Sequence, residues 1–195
     1  MTQKKDFVKT KDYKILLTSE QIQEKVTELG VKIAEDYKDE EEDLVLLIIL
    51  NGAVFFGADL SRELTKVNEF NGYNNYGTYI DFMGIGSYGS ETESSRNPKI
   101  TRETSIDLEG KNVLIIEDMI DTGYSMKKLL EILSARRPKS LKICALLSKE
   151  SRREIDVPID YCGFEIPDYW VEGYGMDTKG KHRTFPYIRF KKPQK

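Results

Sequence analysis

Three short runs of aliphatic residues stand out along the chain, at 44–50, 113–116 and 141–147. Each is rich in branched residues, which is typical of strands covered on both faces of a parallel sheet. A helical pattern follows the first two runs, and the second helix would bury Met126 and Leu129. Strand, helix and strand in succession predict an α/β fold with a central parallel sheet flanked by helices.

The other predicted elements are a helix over 18–37, a helix over about 54–64, and strands over 76–83 and 100–106. Thr18 and Gln21 have the spacing of a capping box, which marks the start of the first helix. Between the last two strands, residues 84–98 are rich in glycine and serine. A long loop inside a compact domain is either a lid or a hairpin tip without a function, and both interpretations stay open from composition.

The chain has 195 residues, 39% hydrophobic and 32% charged, so we expect one soluble domain spanning 1–195. The net charge of −3, with mixed signs, argues against nucleic acid as a partner. No apolar run approaches membrane-spanning length and no signal-type segment is visible, so a cytoplasmic protein without a membrane partner is expected. Cys144 and Cys162 both lie in apolar stretches and are expected to be buried free thiols.

Candidate chemistry is concentrated directly behind the 113–116 run, where Glu117, Asp118 and Asp121 follow each other closely. Ligands of open α/β sheets bind at the carboxyl ends of the strands. Adjacent carboxylates there can accept hydrogen bonds from two hydroxyls or from a metal's waters, and Asp121 could take a proton. A purely structural alternative is that these acids cap the following helix and complement its dipole.

The residues after Asp121 supply the complementary chemistry. They offer backbone N–H groups, two aliphatic hydroxyls and a helix N-terminus, which together suit a phosphate group; they are Thr122, Gly123, Tyr124 and Ser125. Acids that bind hydroxyls beside a loop that binds phosphate indicate a sugar phosphate as the ligand.

The stretch from Glu117 to Gly123 resembles the phosphoribosyl-diphosphate motif of type I phosphoribosyltransferases. A second stretch, residues 161–177, resembles the purine-pocket segment of the hypoxanthine–guanine branch of that family. Together the matching motifs span roughly residues 44 to 190. The resemblance implies a core over about 18–150 and a smaller hood from about 151–195 with the N-terminal segment.

The same resemblance assigns roles around the sugar. Glu117 and Asp118 would bind the ribose hydroxyls and one Mg²⁺, and Asp121 would be the catalytic base. The 5′-phosphate would lie on the loop formed by Asp121, Thr122, Gly123, Tyr124 and Ser125. Many relatives carry lysine where this chain has Tyr124, but the backbone donors of the loop should tolerate that change.

Three further matches to the family assign the diphosphate-binding residues and the lid. Asn51 and Gly52 correspond to a diphosphate-binding loop, although some relatives have lysine at the position of Asn51. Arg183 matches an arginine that reaches the diphosphate. Ser87 and Tyr88 resemble the Ser-Tyr pair of the flexible catalytic loop, which would exclude water from a cationic sugar intermediate.

The purine would be held by three residues. Trp170 would stack on the ring, Val171 would meet the base edge through its backbone, and Lys149 would donate to the 6-oxo oxygen. Asp177 matches a metal-binding aspartate, so a second Mg²⁺ is implied. From position alone, Lys149 and Asp177 could equally be surface or turn residues.

The resemblance therefore implies purine salvage by a homodimer or homotetramer. The phosphoribosyl group of 5-phospho-α-D-ribosyl 1-diphosphate would pass to N9 of hypoxanthine or guanine, giving IMP or GMP and diphosphate. Two other functions are compatible with parts of the pattern. A phosphoacceptor receiver domain would need an acidic pair at an earlier strand end, which Asn51 does not supply. A nucleic-acid-binding regulator that keeps the sugar-phosphate site would need a basic face.

Overall fold

The structure, a computed structural model, describes residues 12–73, 77–86 and 99–191. Its elements in chain order are β1 (Tyr13–Leu17), α1 (Ser19–Tyr37), β2 (Leu44–Leu50), α2 (Val54–Asn71), β3 (Thr78–Gly86), β4 (Lys99–Arg102), β5 (Asn112–Ile120), α3 (Tyr124–Ser134), β6 (Ser140–Ser148), a short 3-10 helix (Glu150–Arg152), β7 (Tyr161–Glu165), β8 (Val171–Glu172) and β9 (Ile188–Lys191). No helix within these ranges is long and apolar enough to cross a membrane.

Two sheets organise the molecule. The larger has six strands in the order β4-β3-β2-β5-β6-β7, and only β4 runs antiparallel to its neighbour. The smaller is an antiparallel sheet of three strands in the order β1-β9-β8, which joins the two ends of the described chain. The larger sheet reverses its strand order between β2 and β5, and this is where α/β sheets open a crevice for ligands.

The core lies on both faces of the larger sheet because side chains alternate along each strand. Leu46 and Ile48 of β2 pack in one cluster with α1 and α2, whereas Leu47 and Ile49 pack in a second cluster with α3. The six residues from Leu44 to Ile49 are all almost completely buried. A strand covered on both faces needs a continuous apolar sequence, which explains why 44–50 was recognisable.

Several predicted boundaries are confirmed and others are wrong. The capping box of Thr18 and Gln21 is formed, and β2 has the predicted limits. By contrast, α2 continues to Asn71, and β5 runs through the acidic residues to Ile120. The expectation that Cys162 is buried is wrong: its thiol is free but exposed, because β7 is the edge strand of the larger sheet.

The return strand β4 is shorter than predicted because the chain after it wraps around Asp81 of β3. The Asp81 carboxylate accepts hydrogen bonds from the Thr104 hydroxyl and from the backbone N–H groups of Ser105 and Ile106, the last two at 2.6 and 3.0 Å. Burial acts to raise the pKa of Asp81, but these hydrogen bonds and one from the Phe82 N–H outweigh it and lower the pKa to about 2. Asp81 thus fixes the segment that leads into β5.

We predict that Asp81→Asn lowers the free energy of unfolding by about 2 kcal/mol at neutral pH, since an amide cannot accept at both positions. A carboxylate whose pKa is lower in the folded state stabilises the protein above its unfolded pKa. That contribution is lost as the pH falls from about 4 toward 2. Urea unfolding across this range should show the difference between variant and wild type shrinking.

Asp107→Asn is the matched control, because the Asp107 carboxylate is exposed and accepts one hydrogen bond, from the Glu109 N–H at 3.1 Å. Its cost should stay below about 1 kcal/mol at every pH. Equal losses for the two variants would contradict the anchoring role of Asp81.

Candidate active site

The site begins at the crevice between β2 and β5, where Gly52 lies directly against Asp118. A Cβ atom at Gly52 would lie 1.9 Å from Asp118 Oδ2, so a larger residue there would displace the Asp118 carboxylate. The preceding peptide, Leu50–Asn51, is cis, and the Asn51 side chain is exposed. The predicted diphosphate loop and the predicted ribose acids are therefore brought together by the parallel pairing of β2 with β5.

A third segment, the turn that follows β8, joins them at Gly175. Its backbone is in the left-handed region, with φ of 103°, and a Cβ atom there would lie 1.8 Å from the Gly52 carbonyl oxygen. The Gly175 N–H donates to the Arg183 carbonyl at 2.8 Å, which ties this turn to the chain that returns toward β9. The smaller sheet thus meets the crevice backbone to backbone.

The two neighbouring acids of β5, Glu117 and Asp118, interact with the local backbone and with each other. The Asp118 N–H donates to Glu117 Oε1 at 3.2 Å, and the Met119 N–H donates to Asp118 Oδ1 at 2.9 Å. Burial, the negative charge of Asp118 and a hydrogen bond between the two carboxyl groups raise the pKa of Glu117 well above its usual range. A bound cation would offset the electrostatic repulsion between two carboxyl groups that lie this close together.

Asp177 is held at the same end of the molecule by Arg183. The guanidinium places one nitrogen 2.6 Å from Asp177 Oδ1 and donates from another to the Gly175 carbonyl, also at 2.6 Å. The other carboxylate oxygen accepts from the Gly180 N–H at 2.5 Å. Within the described part of the chain, no three acidic, histidine or cysteine side chains form a ready-made metal site.

The predicted phosphate loop lies between β5 and α3. Gly123 is the N-cap of α3, with φ of 92° and no side-chain capping bond. The N-terminus of a helix is a favourable place for an anion such as a phosphate. Hydrogen bonds to the segment after the 3-10 helix fix this loop: the Thr122 carbonyl accepts from the N–H groups of Glu154 and Ile155 at 3.1 and 3.0 Å. The Tyr124 hydroxyl donates to Glu154 Oε2 at 3.0 Å, and Ser125 is exposed.

Lys149 and Asp121, predicted to serve the base, do come together. Lys149 directly follows β6 and is only 4% exposed. Its Nζ atom lies 3.6 Å from Asp121 Oδ2. Two partners that sequence reasoning did not assign complete the group: Arg152 and Asp168. Arg152 lies one 3-10 turn after Lys149, and this spacing was the only signal that could have indicated it.

The predicted purine contacts lie at the start of β8. Trp170 is 52% exposed, and its indole N–H donates to the Thr178 hydroxyl at 2.8 Å. Val171 is buried and pairs with Phe190 of β9, whose ring stacks on Tyr169 with centroids 4.3 Å apart. Ser87 and Tyr88, the predicted lid, lie outside the described residues.

Comparison with known proteins matches residues 12–179 to the phosphoribosyl transferase domain. The chain is 44% identical over 174 residues to the hypoxanthine phosphoribosyltransferase of Escherichia coli K12, covering 89% of this chain and 92% of that one. It is 39% identical over 180 residues to the hypoxanthine-guanine phosphoribosyltransferase of Bacillus subtilis, covering 92% and 93%. A solved structure of Trypanosoma cruzi hypoxanthine phosphoribosyl transferase superposes with a TM-score of 0.84 at 32% identity, covering 98% and 95%.

We predict different costs for alanine at two glycines of this site that share a left-handed backbone. Gly180 has φ of 76° and open space around its Cα, so Gly180→Ala should lower the free energy of unfolding by about 1–2 kcal/mol through strain alone. Gly175→Ala adds a clash with the Gly52 carbonyl and should cost at least about 2 kcal/mol more. Urea unfolding measures both, and equal losses would show that the two loops separate freely.

Proposed function

This chain belongs to the phosphoribosyl transferase family, and we propose that it transfers the phosphoribosyl group of 5-phospho-α-D-ribosyl 1-diphosphate to N9 of hypoxanthine or guanine. The type I fold predicted from the sequence is confirmed by these relatives. The observation that carries the choice of base is the buried Lys149 ammonium, 3.6 Å from the Asp121 carboxylate at one sheet edge. Together these groups offer a donor and an acceptor to one ligand.

Recognition of the base follows from the chemistry of those two groups. Lysine can only donate hydrogen bonds, so it suits the 6-oxo oxygen of hypoxanthine or guanine and leaves the 6-amino group of adenine unsatisfied. Trp170, half exposed at the start of β8, provides a face for stacking. The backbone of Val171 would read the edge of the ring.

The sugar phosphate would lie across the crevice. Glu117 and Asp118 accept hydrogen bonds from the ribose hydroxyls, and the N–H groups of 122–125 hold the 5′-phosphate at the N-terminus of α3. The loop at Asn51 and Gly52 approaches the diphosphate through its backbone, because the absent Cβ leaves that space beside Asp118.

The residues present suit Mg²⁺. That ion takes one or two carboxylates and completes its shell with substrate phosphates and water, so a closed cluster of protein ligands is not required. Glu117 and Asp118 would hold one ion, whose charge relieves their crowding, and Asp177 would hold a second. When bound, Mg²⁺ neutralises charge on the leaving diphosphate.

The protein's own groups then act on the reacting atoms. As the bond from C1 to the diphosphate oxygen breaks, N9 attacks C1 and the N7 proton passes to the Asp121 carboxylate. Arg183, which pairs with Asp177, would stabilise the diphosphate as it leaves. The products are IMP or GMP and diphosphate.

The assembly we propose is a homodimer or homotetramer. An open groove of about 430 Å³ runs between α2 and β3, and its lining includes Val54, Ala58 and Ile80. Ile80 and its neighbour Tyr79 are each 48% exposed. Exposed apolar patches of this kind mark interaction surfaces.

We predict that wild-type protein with Mg²⁺ turns over hypoxanthine and guanine but neither adenine nor uracil. Lys149→Ala should lower kcat/KM for 6-oxopurines by at least about 10²-fold, since it removes a charged donor. Asp121→Ala should slow the reaction by about 10²–10⁴-fold, the usual value of a general base. Product formation from each base offered separately is the measurement.

Asp107→Asn serves again as the control, because Asp107 is exposed and belongs to none of the proposed contacts. No turnover of any base by folded wild-type protein would overturn the proposed activity. Turnover of adenine at the rate of hypoxanthine would overturn the role of Lys149.

We also predict that Asp177→Asn raises the Mg²⁺ concentration needed for half-maximal rate by at least about tenfold, because an amide is a weaker ligand for a hard cation. The rate is measured against Mg²⁺ for this variant, for wild type and for Asp107→Asn. An unchanged Mg²⁺ dependence would remove Asp177 from the metal site.

A further inference from the structure

We propose that Arg152 is a positioning residue for base recognition, acting by keeping the Lys149 ammonium free to donate to the purine. This inference rests on the proposed function, because it concerns how that same pocket selects a 6-oxopurine. Arg152 forms the end of the short 3-10 helix that follows Lys149, and its N–H donates to the Lys149 carbonyl at 3.1 Å.

The four charged groups share their contacts in a regular way. Arg152 Nε donates to Asp121 Oδ1 at 2.8 Å, and its Nη1 donates to Asp168 Oδ2 at 3.3 Å. Lys149 Nζ faces the other oxygen of each carboxylate, 3.6 Å from Asp121 Oδ2 and 3.7 Å from Asp168 Oδ1. Each carboxylate therefore gives one oxygen to each cation.

The distances separate two kinds of interaction. Arg152 makes one hydrogen bond of ordinary length, to Asp121 at 2.8 Å, and a longer one to Asp168 at 3.3 Å. Lys149 Nζ lies farther from both carboxylates, at 3.6 and 3.7 Å, and is held there by charge. Two cations balance two carboxylates, so the group is neutral and neither carboxylate is left to attract Lys149 more strongly. The ammonium is thus held in place without its protons being committed to Asp121 or Asp168.

Without Arg152, one buried ammonium would face two carboxylates. Coulomb attraction, strong where water is scarce, would draw Lys149 into a direct hydrogen bond with one of them. The ammonium would move away from the 6-oxo oxygen and would occupy Asp121, the proposed acceptor of the N7 proton. Asp168 would also lose its hydrogen bond to Arg152. Because Asp168 lies only two residues before Trp170, the segment that carries the proposed stacking residue would be held less firmly.

Stability should change little. The Arg152 side chain is 42% exposed, and ion pairs exposed to this extent contribute little to folding. The loss should therefore appear in base binding while the protein stays folded.

The test uses Arg152→Met and Arg152→Lys, with Arg137→Met as the matched control. Arg137 also pairs with a carboxylate through a side-chain nitrogen, Glu109 at 2.9 Å, but it is 75% exposed in the turn between α3 and β6 and belongs to none of the proposed contacts. Calorimetry gives the Kd of IMP and of ribose 5-phosphate, which lacks the base. Steady-state rates give KM for hypoxanthine and for the ribosyl diphosphate.

For Arg152→Met we expect the Kd of IMP and the KM of hypoxanthine to rise by at least about tenfold. This is the size of effect that the loss of one charged hydrogen bond produces. The Kd of ribose 5-phosphate and the KM of the ribosyl diphosphate should change less than about twofold by the same scale. Arg152→Lys should recover part of the loss, since it restores the charge but not the two-pronged geometry. Equal weakening of both ligands, or no weakening, would overturn the inference.

A double-mutant cycle tests whether Arg152 acts through Lys149. If it does, the double variant Lys149→Met with Arg152→Met should bind IMP no more weakly than Lys149→Met alone. Losses that multiply would show that Arg152 acts by itself and would overturn the proposal. An inactive wild type would instead overturn the proposed function. Failure of the inference about Arg152 and failure of the proposed function therefore give different results.

Discussion

The parallel pairing of β2 with β5 is the constraint on which the rest of the site depends. It joins two strands whose connections leave on opposite faces of the sheet, and so it places the turn after Leu50 beside the acids of β5. The glycine at position 52 lets that turn touch Asp118 without a side chain between them. Every other proposed contact is built outward from this pair of strand ends.

Charge is arranged differently on the two sides of the crevice. Around Glu117 and Asp118, negative charges are crowded, which suits a region that receives a cation with its ligand. Around Lys149, positive and negative groups balance, which suits a neutral base. The receiver-domain alternative considered from the sequence is excluded by the family match. These two charge patterns are the ones that the proposed function requires of the sugar-phosphate half and the base half of the site.

How far the sequence could predict this structure depended on how each segment is buried. The strand at 44–50 was predicted with correct limits because both of its faces are covered, and the run of apolar residues ends where burial ends. The continuation of β5 through Glu117 and Asp118 was missed because carboxylates interrupt the apolar pattern although the backbone remains paired. Cys162 was misjudged because an apolar strand at the edge of a sheet looks the same in sequence as one at its centre. Arg152 was missed because its spacing from Lys149 is informative only once the 3-10 helix between them is known.

Trp170 has a further consequence for anyone who studies this molecule in solution. It is the only tryptophan in the chain, it is half exposed, and its indole is tied to Thr178 by a single hydrogen bond. Tryptophan fluorescence therefore comes from a single residue, which lies directly before β8. The protein carries its own fluorescent reporter of events at that point, with no label or substitution needed.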